Sequence, residues 1–407
     1  MVTGNFKIAY DSIKSAKWRS FLTMLGVIIG VVSVVTIVSI GEGVKKQISD
    51  QINRFGPDLI TIRSGKPITR DSSGQISGIN VMPGFSGAAF SEMDLKVVQE
   101  TENVKTAVPL SYVTASPTFK NRTIETSTVL GTTHDLPDAI NQKIEFGEFF
   151  SETSNRNVAV IGKQVAEDLF NEIAPTGQSF EIRGQTFNVV GVFEDIESVS
   201  FSPGIDYGSA IFIPLTAAKK LVNNQTNIQQ ILVKPQSPDQ VASTYDALRS
   251  RLLNAHAGQD DFTILKQDDT LAIADTVLNL LTRLITGVAA ISLIVGGIGI
   301  MNIMIVSVTE RTKEIGVRKA VGATNKQILG QFVTEAAMLS ALGGIIGVIV
   351  SLIVNFILRV STELEPIITF PIMGAAVMIS LLVGVIFGVA PALRAARKDP
   401  IQALRQI

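Results

Sequence analysis

The 407-residue sequence has no cysteine. That excludes disulfides, thiolate catalysis, iron–sulfur clusters and cysteine-ligated zinc together. Histidine is almost as scarce: the two, His134 and His256, stand far apart in sequence. Two distant imidazoles make no common zinc site unless carboxylates join them, so both read as ordinary domain residues. Charge is thin, with 17% of residues ionisable as Asp, Glu, Lys or Arg against about 25% in an average soluble chain. Neither sign dominates: 35 Lys+Arg face 36 Asp+Glu, a net charge of -1. A nucleic-acid partner, which calls for a basic excess, is not expected. Catalytic motifs are missing too. A P-loop needs G-x-x-x-x-G-K-[ST] to cradle phosphates and meet Mg²⁺; the nearest string, 157–164, ends Gly162-Lys163-Gln164 and lacks both the first Gly and the hydroxyl. A nucleophile elbow needs G-x-S-x-G, and Gly84-Phe85-Ser86-Gly87-Ala88 fails by one position. The chain reads as no enzyme.

What the sequence does have is apolar length. Mean hydropathy is +0.35, and four uncharged runs cover 21–41, 284–309, 336–358 and 366–393. Each is long enough to cross a ~30 Å hydrocarbon core. The first is preceded by Lys7, Lys14, Lys17 and Arg19 like a signal peptide. It exceeds the usual h-region of about 7–15 residues and no A-x-A-like site follows, so it reads as an uncleaved helix. Phe6, Tyr10 and Ile13 form one apolar stripe ahead of it, flanked by lysines, with Trp18 and Arg19 at the point of entry. That pattern suits an amphipathic helix lying on membrane lipid or a plain basic flank.

Lys and Arg concentrate beside cytoplasmic ends of spans. Segments 1–20, 309–331 and 392–407 hold 13 basic and four acidic residues. The rest of the chain holds 22 basic and 32 acidic, so the near-zero total is a cancellation. Four spans with both termini cytoplasmic satisfy this bias, which puts the segment between spans one and two outside the cytoplasm. The resulting partition is a cytoplasmic amphipathic helix 1–19, span one 20–42, an extracytoplasmic domain 43–275, span two with a stalk 276–308, a cytoplasmic segment 309–327, span three 328–358, a short outer loop 359–365, span four 366–391 and a cytoplasmic tail 392–407.

Residues 43–275 alternate strand and helix signals. Residues 43–55 continue the first helix, 59–62 read as a strand, and the Gly- and Ser-rich stretch 64–90 as a mobile loop. A short helix begins at Ser91. Strands are expected near 104–114, 123–130, 157–161 and 210–213, with a helix over 163–171 and a hairpin about Gly184 joining 180–182 to 187–192. The last unit is strand 228–233, helix 238–255 and strand 262–265, a βαβ pattern. Ser237 as N-cap with Gln240 at N3 would make a capping box, and Val241, Tyr245, Leu248 and Leu252 a buried stripe. The fold class is therefore an α-helical membrane protein of four transmembrane helices with a large mixed α/β extracytoplasmic domain.

Ionisable groups inside spans mark transport paths, and these spans have almost none. Glu335 opens the third run, either as an interfacial acid reached by solvent or as a helix–helix contact. Asn302 and Asn355 could bond across helices. Gly26-x-x-x-Gly30, Gly343-x-x-x-Gly347 and Gly384-x-x-x-Gly388 favour close helix approach, within the chain or between two copies. Between spans two and three, Gly322 suits a helix C′ position, and Thr324 with Gln327 suits a capping box for the next helix.

Three stretches carry a family likeness: Arg19–Gly30 followed by Gly41-Glu42-Gly43; Gly296–Met304 with Glu310–Gly322; and Pro391–Arg397 with Asp399-Pro400-Ile401 and Ala403-Leu404-Arg405. Nearly end to end, the sequence resembles the permeases of MacB-type ABC transporters in the FtsX-like superfamily. The resemblance implies a stand-alone permease subunit that pairs with a second copy, here a homodimer, and works with a separate ABC ATPase, an adaptor outside the membrane being an optional partner. It implies no cofactor in this chain, with ATP and Mg on the ATPase. It places Glu310, Arg311, Lys313, Glu314, Ile315, Arg318, Lys319 and Gly322 in the segment that docks on the ATPase, and Arg311 and Arg318 are expected to be reversible in charge without harm to the fold. Efflux of a peptide, drug or similar compound by mechanotransmission at the bacterial inner membrane is the activity implied. Signalling to a cell-wall hydrolase and lipoprotein extraction are the alternatives. No substrate-binding residue and no metal site stand out.

Overall fold

The computed structural model describes residues 17–56, 58–65, 68–70, 76–79, 89–125, 127–152, 157–194, 206–222, 227–362 and 364–405. The apolar stripe expected at Phe6, Tyr10 and Ile13 lies outside them. The chain divides into a helical unit, residues 1–44 and 277–407, and an α/β unit, residues 45–276.

The α/β unit begins from four strands. Phe262–Lys266, Ile60–Ser64, Gln230–Pro235 and Val104–Ala115 lie side by side in that order, every neighbouring pair antiparallel. Ile60–Ser64 crosses through helix Glu92–Gln99 to Val104–Ala115, and Gln230–Pro235 crosses through helix Val241–Ala255 to Phe262–Lys266. Each crossover skips one strand, which the other crossover supplies. This is the doubled split β-α-β arrangement of ferredoxin-like folds. The expected βαβ unit is present, but its two strands do not touch because Ile60–Ser64 sits between them. Alternation drives the burial: Ile60, Ile62, Ile231, Val233 and Ile264 face the two helices, where Val98, Leu248 and Leu252 close the core.

Two local expectations fail there. Helix Val241–Ala255 opens with a 3₁₀ turn, Pro238–Gln240, and the Ser237 side chain makes no capping bond, so there is no capping box. The expected stripe does form: Leu248 and Leu252 are buried and Val241 and Tyr245 pack against the same core partly exposed, with Thr244 buried beside them. The capping box of the unit lies instead at Ser91, whose hydroxyl accepts from the Asp94 amide while Asp94 accepts from the Ser91 amide. Within 64–90, strands Ile68–Arg70 and Ile76–Ile79 pair antiparallel, where a loop was expected.

The remaining strands extend the sheet beyond Val104–Ala115 through Ser127–Thr132, Ala210–Pro214, Val158–Ile161, Gln185–Phe193 and Ser179–Ile182. This part mixes parallel and antiparallel neighbours and buries a core on each face. The helix expected over 163–171 is an α-turn, Lys163–Val165, running into a π-turn, Ala166–Phe170, and closed by Asn171 in the left-handed region.

Two tyrosines make this unit sensitive to alkali. Tyr112 donates to Gln230 Oε1 at 3.1 Å, and Tyr207 stacks on Phe212. Burial pushes Tyr112 up to about 12, with Arg63 opposing. Burial pushes Tyr207 up further, with Tyr112 adding to the shift. An unfolded chain releases both protons near pH 10 while the folded chain keeps them, so stability is whole below pH 10 and falls above it. The slope is about 1.4 kcal/mol per pH unit per tyrosine. Thermal unfolding between pH 9 and 12 should show this fall, and Tyr112→Phe should make it shallower. An unchanged slope in the variant would remove Tyr112 as a cause.

Among the described residues, four helices are long and apolar enough to cross a membrane: Met24–Asp50 within Lys17–Phe55, then Gln267–Glu310, Asn325–Ser361 and Phe370–Ala396. Their shared core includes Val27, Val31, Val35, Leu293, Ile300, Met304, Phe332 and Ala336. At one end, the Ile367 amide donates to the Ser39 carbonyl at 2.8 Å. That bond lays the loop after span three across Gly43, where a Cβ would strike the Glu365 carbonyl. Only glycine permits this crossing.

Candidate functional site

At the other end of the helical unit, Gln267–Glu310 stops at Arg311, and a short helix, Thr312–Ala320, turns away before Asn325–Ser361 begins. Helix Thr312–Ala320 ends in a full Schellman motif. Gly322 has φ +107°, its amide donates to Lys319 O, and the Ala323 amide donates to Arg318 O. A Cβ at Gly322 would meet no neighbour within 4 Å, so the requirement there is backbone conformation. Thr324 and Gln327 then form the expected capping box. The backbone groups where the short helix ends and the next begins are thus satisfied by glycine and by side chains.

The turn has an inward and an outward face. Inward, Ile315 is buried with Gly316 and Thr312. Arg311 Nη1 lies 3.5 Å from Glu335 Oε1 on span three. Arg318 donates to Gln331 Oε1 at 2.6 Å and pairs with Glu314 at 2.5 Å. Lys319 Nζ donates to the carbonyls of Ala396 and Lys398 at 2.6 and 2.7 Å, which would otherwise be orphan acceptors at the end of span four. Outward stand Glu310, Lys313, Glu314, Val317 and Val321, the last 85% exposed.

This division corrects part of the sequence reading. Arg311, Arg318 and Lys319 brace the turn against spans three and four, so reversing the arginines would strip the fold of internal partners. Glu335 is 3% exposed and paired, which overturns the solvent-reached reading and leaves the helix–helix contact. Spacing alone could not separate the faces, because Arg318 and Lys313 look equally solvated in a basic loop. Val317 and Val321, absent from the expected set, are apolar residues at i and i+4 on the outward side, a pattern that was there to find.

The glycines pack span against span inside the chain. A Cβ on Gly26 would lie 2.6 Å from Gly296 Cα, and one on Gly30 2.7 Å from the Leu293 side chain, so span one meets span two there. One on Gly347 would lie 2.8 Å from Val31, while one on Gly343 would make ordinary contacts with Val27 and Met24. Gly384 and Gly388 face Ser340 and Ala336 of span three. Asn355 donates to Ser351 O of its own helix at 2.8 Å instead of crossing to another. In the α/β unit, His256 links Asp261 at 2.6 Å and Asp94 at 3.3 Å between the rings of Phe90 and Phe262. That is a clasp between helix and strand ends. His134 sits 3.2 Å from Asp135.

Comparison with known proteins adds two family matches. Residues 20–251 match the MacB-like periplasmic core domain, and residues 286–400 the FtsX-like permease C-terminal region. Among curated relatives, the macrolide export ATP-binding/permease protein MacB of Marinobacter nauticus is 36% identical over 402 residues, 98% of this chain and 60% of that one. The pyoverdine export ATP-binding/permease protein PvdT of Pseudomonas syringae pv. syringae is 34% identical over 97% of this chain and 59% of its own. The chain thus spans about three fifths of the length of these relatives. Solved structures that align with it include the periplasmic region of MacB from Actinobacillus actinomycetemcomitans, at 17% identity and TM-score 0.44 over 57% of this chain and 98% of that one. The extracellular domain of the transporter YknZ from Gram-positive bacteria aligns at 19% identity and TM-score 0.39, over 51% and 99%.

Proposed function

Because the chain belongs to the MacB-like, FtsX-type permease family, we propose that it is the membrane unit of an ABC-type efflux system. An ATPase unit outside these 407 residues binds ATP and Mg²⁺ and docks on the turn between spans two and three. The Lys/Arg bias puts that turn and both termini in the cytoplasm of a bacterial inner membrane and the α/β unit on the far side. Two permease copies work together, an adaptor on the far side being an optional partner. The cargo is a peptide, drug or similar organic compound, in keeping with relatives named for macrolide and pyoverdine export. ATP-driven movement of the turn reshapes the α/β unit, and no polar path through the spans is required.

The turn is the observation that carries this reading. It closes with a Schellman motif and a capping box, is anchored to spans three and four through Arg311, Arg318 and Lys319, and presents Val317 and Val321 outward. A docked partner would move the spans through those anchors. Val317→Asp combined with Val321→Asp should cut ATPase co-purification and permease-stimulated hydrolysis about tenfold, the loss expected when a desolvated apolar anchor is charged. The thermal midpoint should not move, since both side chains are exposed. Wild-type stimulation in the double variant would place docking elsewhere.

A further inference from the structure

Arg311, Arg318 and Lys319 are bound inward, but the cations that follow span four are not. Arg394, Arg397 and Lys398 are exposed. Among the described residues, no carboxylate pairs with any of them. The acid beside them, Asp399, accepts instead from the Ile401 amide at 2.9 Å. The nearby carbonyls of Ala396 and Lys398 are already taken by Lys319 Nζ. Three cations within one turn of chain therefore stand together without a protein counter-charge.

The two arginines also prolong the exposed apolar stripe of their helix. Ile379, Leu382, Ile386, Ala390, Arg394 and Arg397 follow at spacings of three, four, four, four and three, which keeps them on one side of an α-helix. Ile379, Leu382 and Ile386 are 44%, 51% and 66% exposed. Depth agrees with this placement. From Phe370 to Ala390 the helix rises about 30 Å, the thickness of the hydrocarbon core. Arg394 then lies about 6 Å beyond Ala390 and Arg397 about 10 Å. The headgroup layer on each side of that core is roughly 5–8 Å thick. Both guanidiniums thus reach phosphate depth, directly above side chains that face acyl chains.

We propose that this end of span four binds an anionic phospholipid, with the acyl chains along Ile379, Leu382 and Ile386 and the phosphate held by Arg394, Arg397 and Lys398. A guanidinium meets phosphate with two parallel hydrogen bonds. A zwitterionic headgroup carries its own ammonium toward the three cations and gains less from them. Inorganic phosphate suits the charges but covers none of the apolar stripe, and an acidic protein surface in the cytoplasm leaves that stripe bare as well. The site has a mechanical consequence. Lys319 of the docking turn grips the backbone of Ala396 and Lys398, the same segment that carries the cations. A bound headgroup steadies that bracket, so permease-stimulated hydrolysis should rise with anionic lipid. The choice of the cytoplasmic leaflet, and this last effect, rest on the permease reading above; lipid binding itself does not.

The test is a titration of the full chain in neutral detergent with fluorescent phosphatidylglycerol, against phosphatidylcholine of the same chains. Phosphatidylglycerol should bind about twentyfold tighter or more, since each cation near an anionic headgroup contributes about fivefold. Arg394→Gln, Arg397→Gln and Lys398→Gln together should bring the two lipids within about threefold of each other. All three side chains are exposed, so the thermal midpoint without lipid should not move. Lys326→Gln, exposed at the start of span three, is the control and should leave the preference in place. Equal binding of the two lipids by the wild type, or a preference that survives the triple change, would overturn the site. Displacement of the lipid by millimolar inorganic phosphate would mark a free-anion site and overturn the lipid assignment. In phosphatidylcholine vesicles with and without phosphatidylglycerol, ATPase stimulation should respond to the anionic lipid in the wild type and not in the triple variant. A loss of stimulation by the triple variant in phosphatidylcholine alone would mean that the cations meet the ATPase, which also overturns the lipid assignment. A lipid preference that stands while Val317→Asp with Val321→Asp keeps wild-type stimulation would sink the docking assignment alone.

Discussion

Arg311→Glu should unfold the turn between spans two and three and lower the thermal midpoint more than any other single charge change in the helical unit. Glu335 is almost wholly buried, and Arg311 Nη1 lies 3.5 Å from its carboxylate. Removing one member of a buried pair costs about 3–5 kcal/mol, because the remaining charge is left without compensation. Reversal does more than removal, since it sets two carboxylates against each other in a low-dielectric setting. Folded domains hold about 5–15 kcal/mol in all, so the loss is a large share. The swap Arg311→Glu with Glu335→Arg restores the pair with its polarity inverted and should recover part of the midpoint. Glu335→Gln, which keeps the shape and drops the charge, should fall between. Thermal unfolding of the purified protein in detergent reads all three. If Arg311→Glu melts with the wild type, the pair contributes nothing. If it melts early and the swap gives no recovery, Arg311 matters through other contacts.

Gly384→Leu should separate spans three and four. A Cβ there would overlap the Ser340 side chain and lie 2.8 Å from the Ala336 carbonyl, which is backbone and cannot swing aside. Gly388, one turn on, faces Ala336 Cβ in the same way. Overpacking a well-filled site usually costs about 1–3 kcal/mol, and a backbone obstacle puts this case at the top of that range or above. Without a hydrophobic force between helices in lipid, close packing is what holds them together, so the damage is not made good elsewhere. Gly374→Leu is the matched control: the same helix, the same substitution, and nothing within 4 Å of the new Cβ. The two variants should differ by several degrees in thermal midpoint and in the yield of folded protein. Equal midpoints would show that spans three and four can part without loss.

Much of the molecule is legible in the residue order. Four apolar runs without ionisable groups are long enough to cross a membrane, and length and composition decide that on their own. The alternation in Ile60–Ser64 and the short apolar runs in Gln230–Pro235 and Phe262–Lys266 announce strands, and Gly322 followed by Thr324 and Gln327 announces a helix end and a helix start. Each of these is a local property, decided within a few residues of itself.

What escaped local reading depends on partners far away in sequence. Ile60–Ser64 slips between two strands some 170 and 200 residues later, so the βαβ pattern gave no notice that its strands would be parted. Ser237 and Gln240 have the composition of a capping box, yet a 3₁₀ turn takes their place. Glycine spacing says that helices approach closely; it does not say that Gly26 meets Gly296 while Gly343 has room to spare. Above all, the charges of the turn divide by contact and not by kind. Arg311 reaches Glu335 and Lys319 reaches the last carbonyls of span four, while Lys313 stays outside. Hydropathy and turn chemistry act along the chain and can be read from it. Packing acts between surfaces that the chain brings together only on folding, and there the same basic residue becomes a brace or a docking charge.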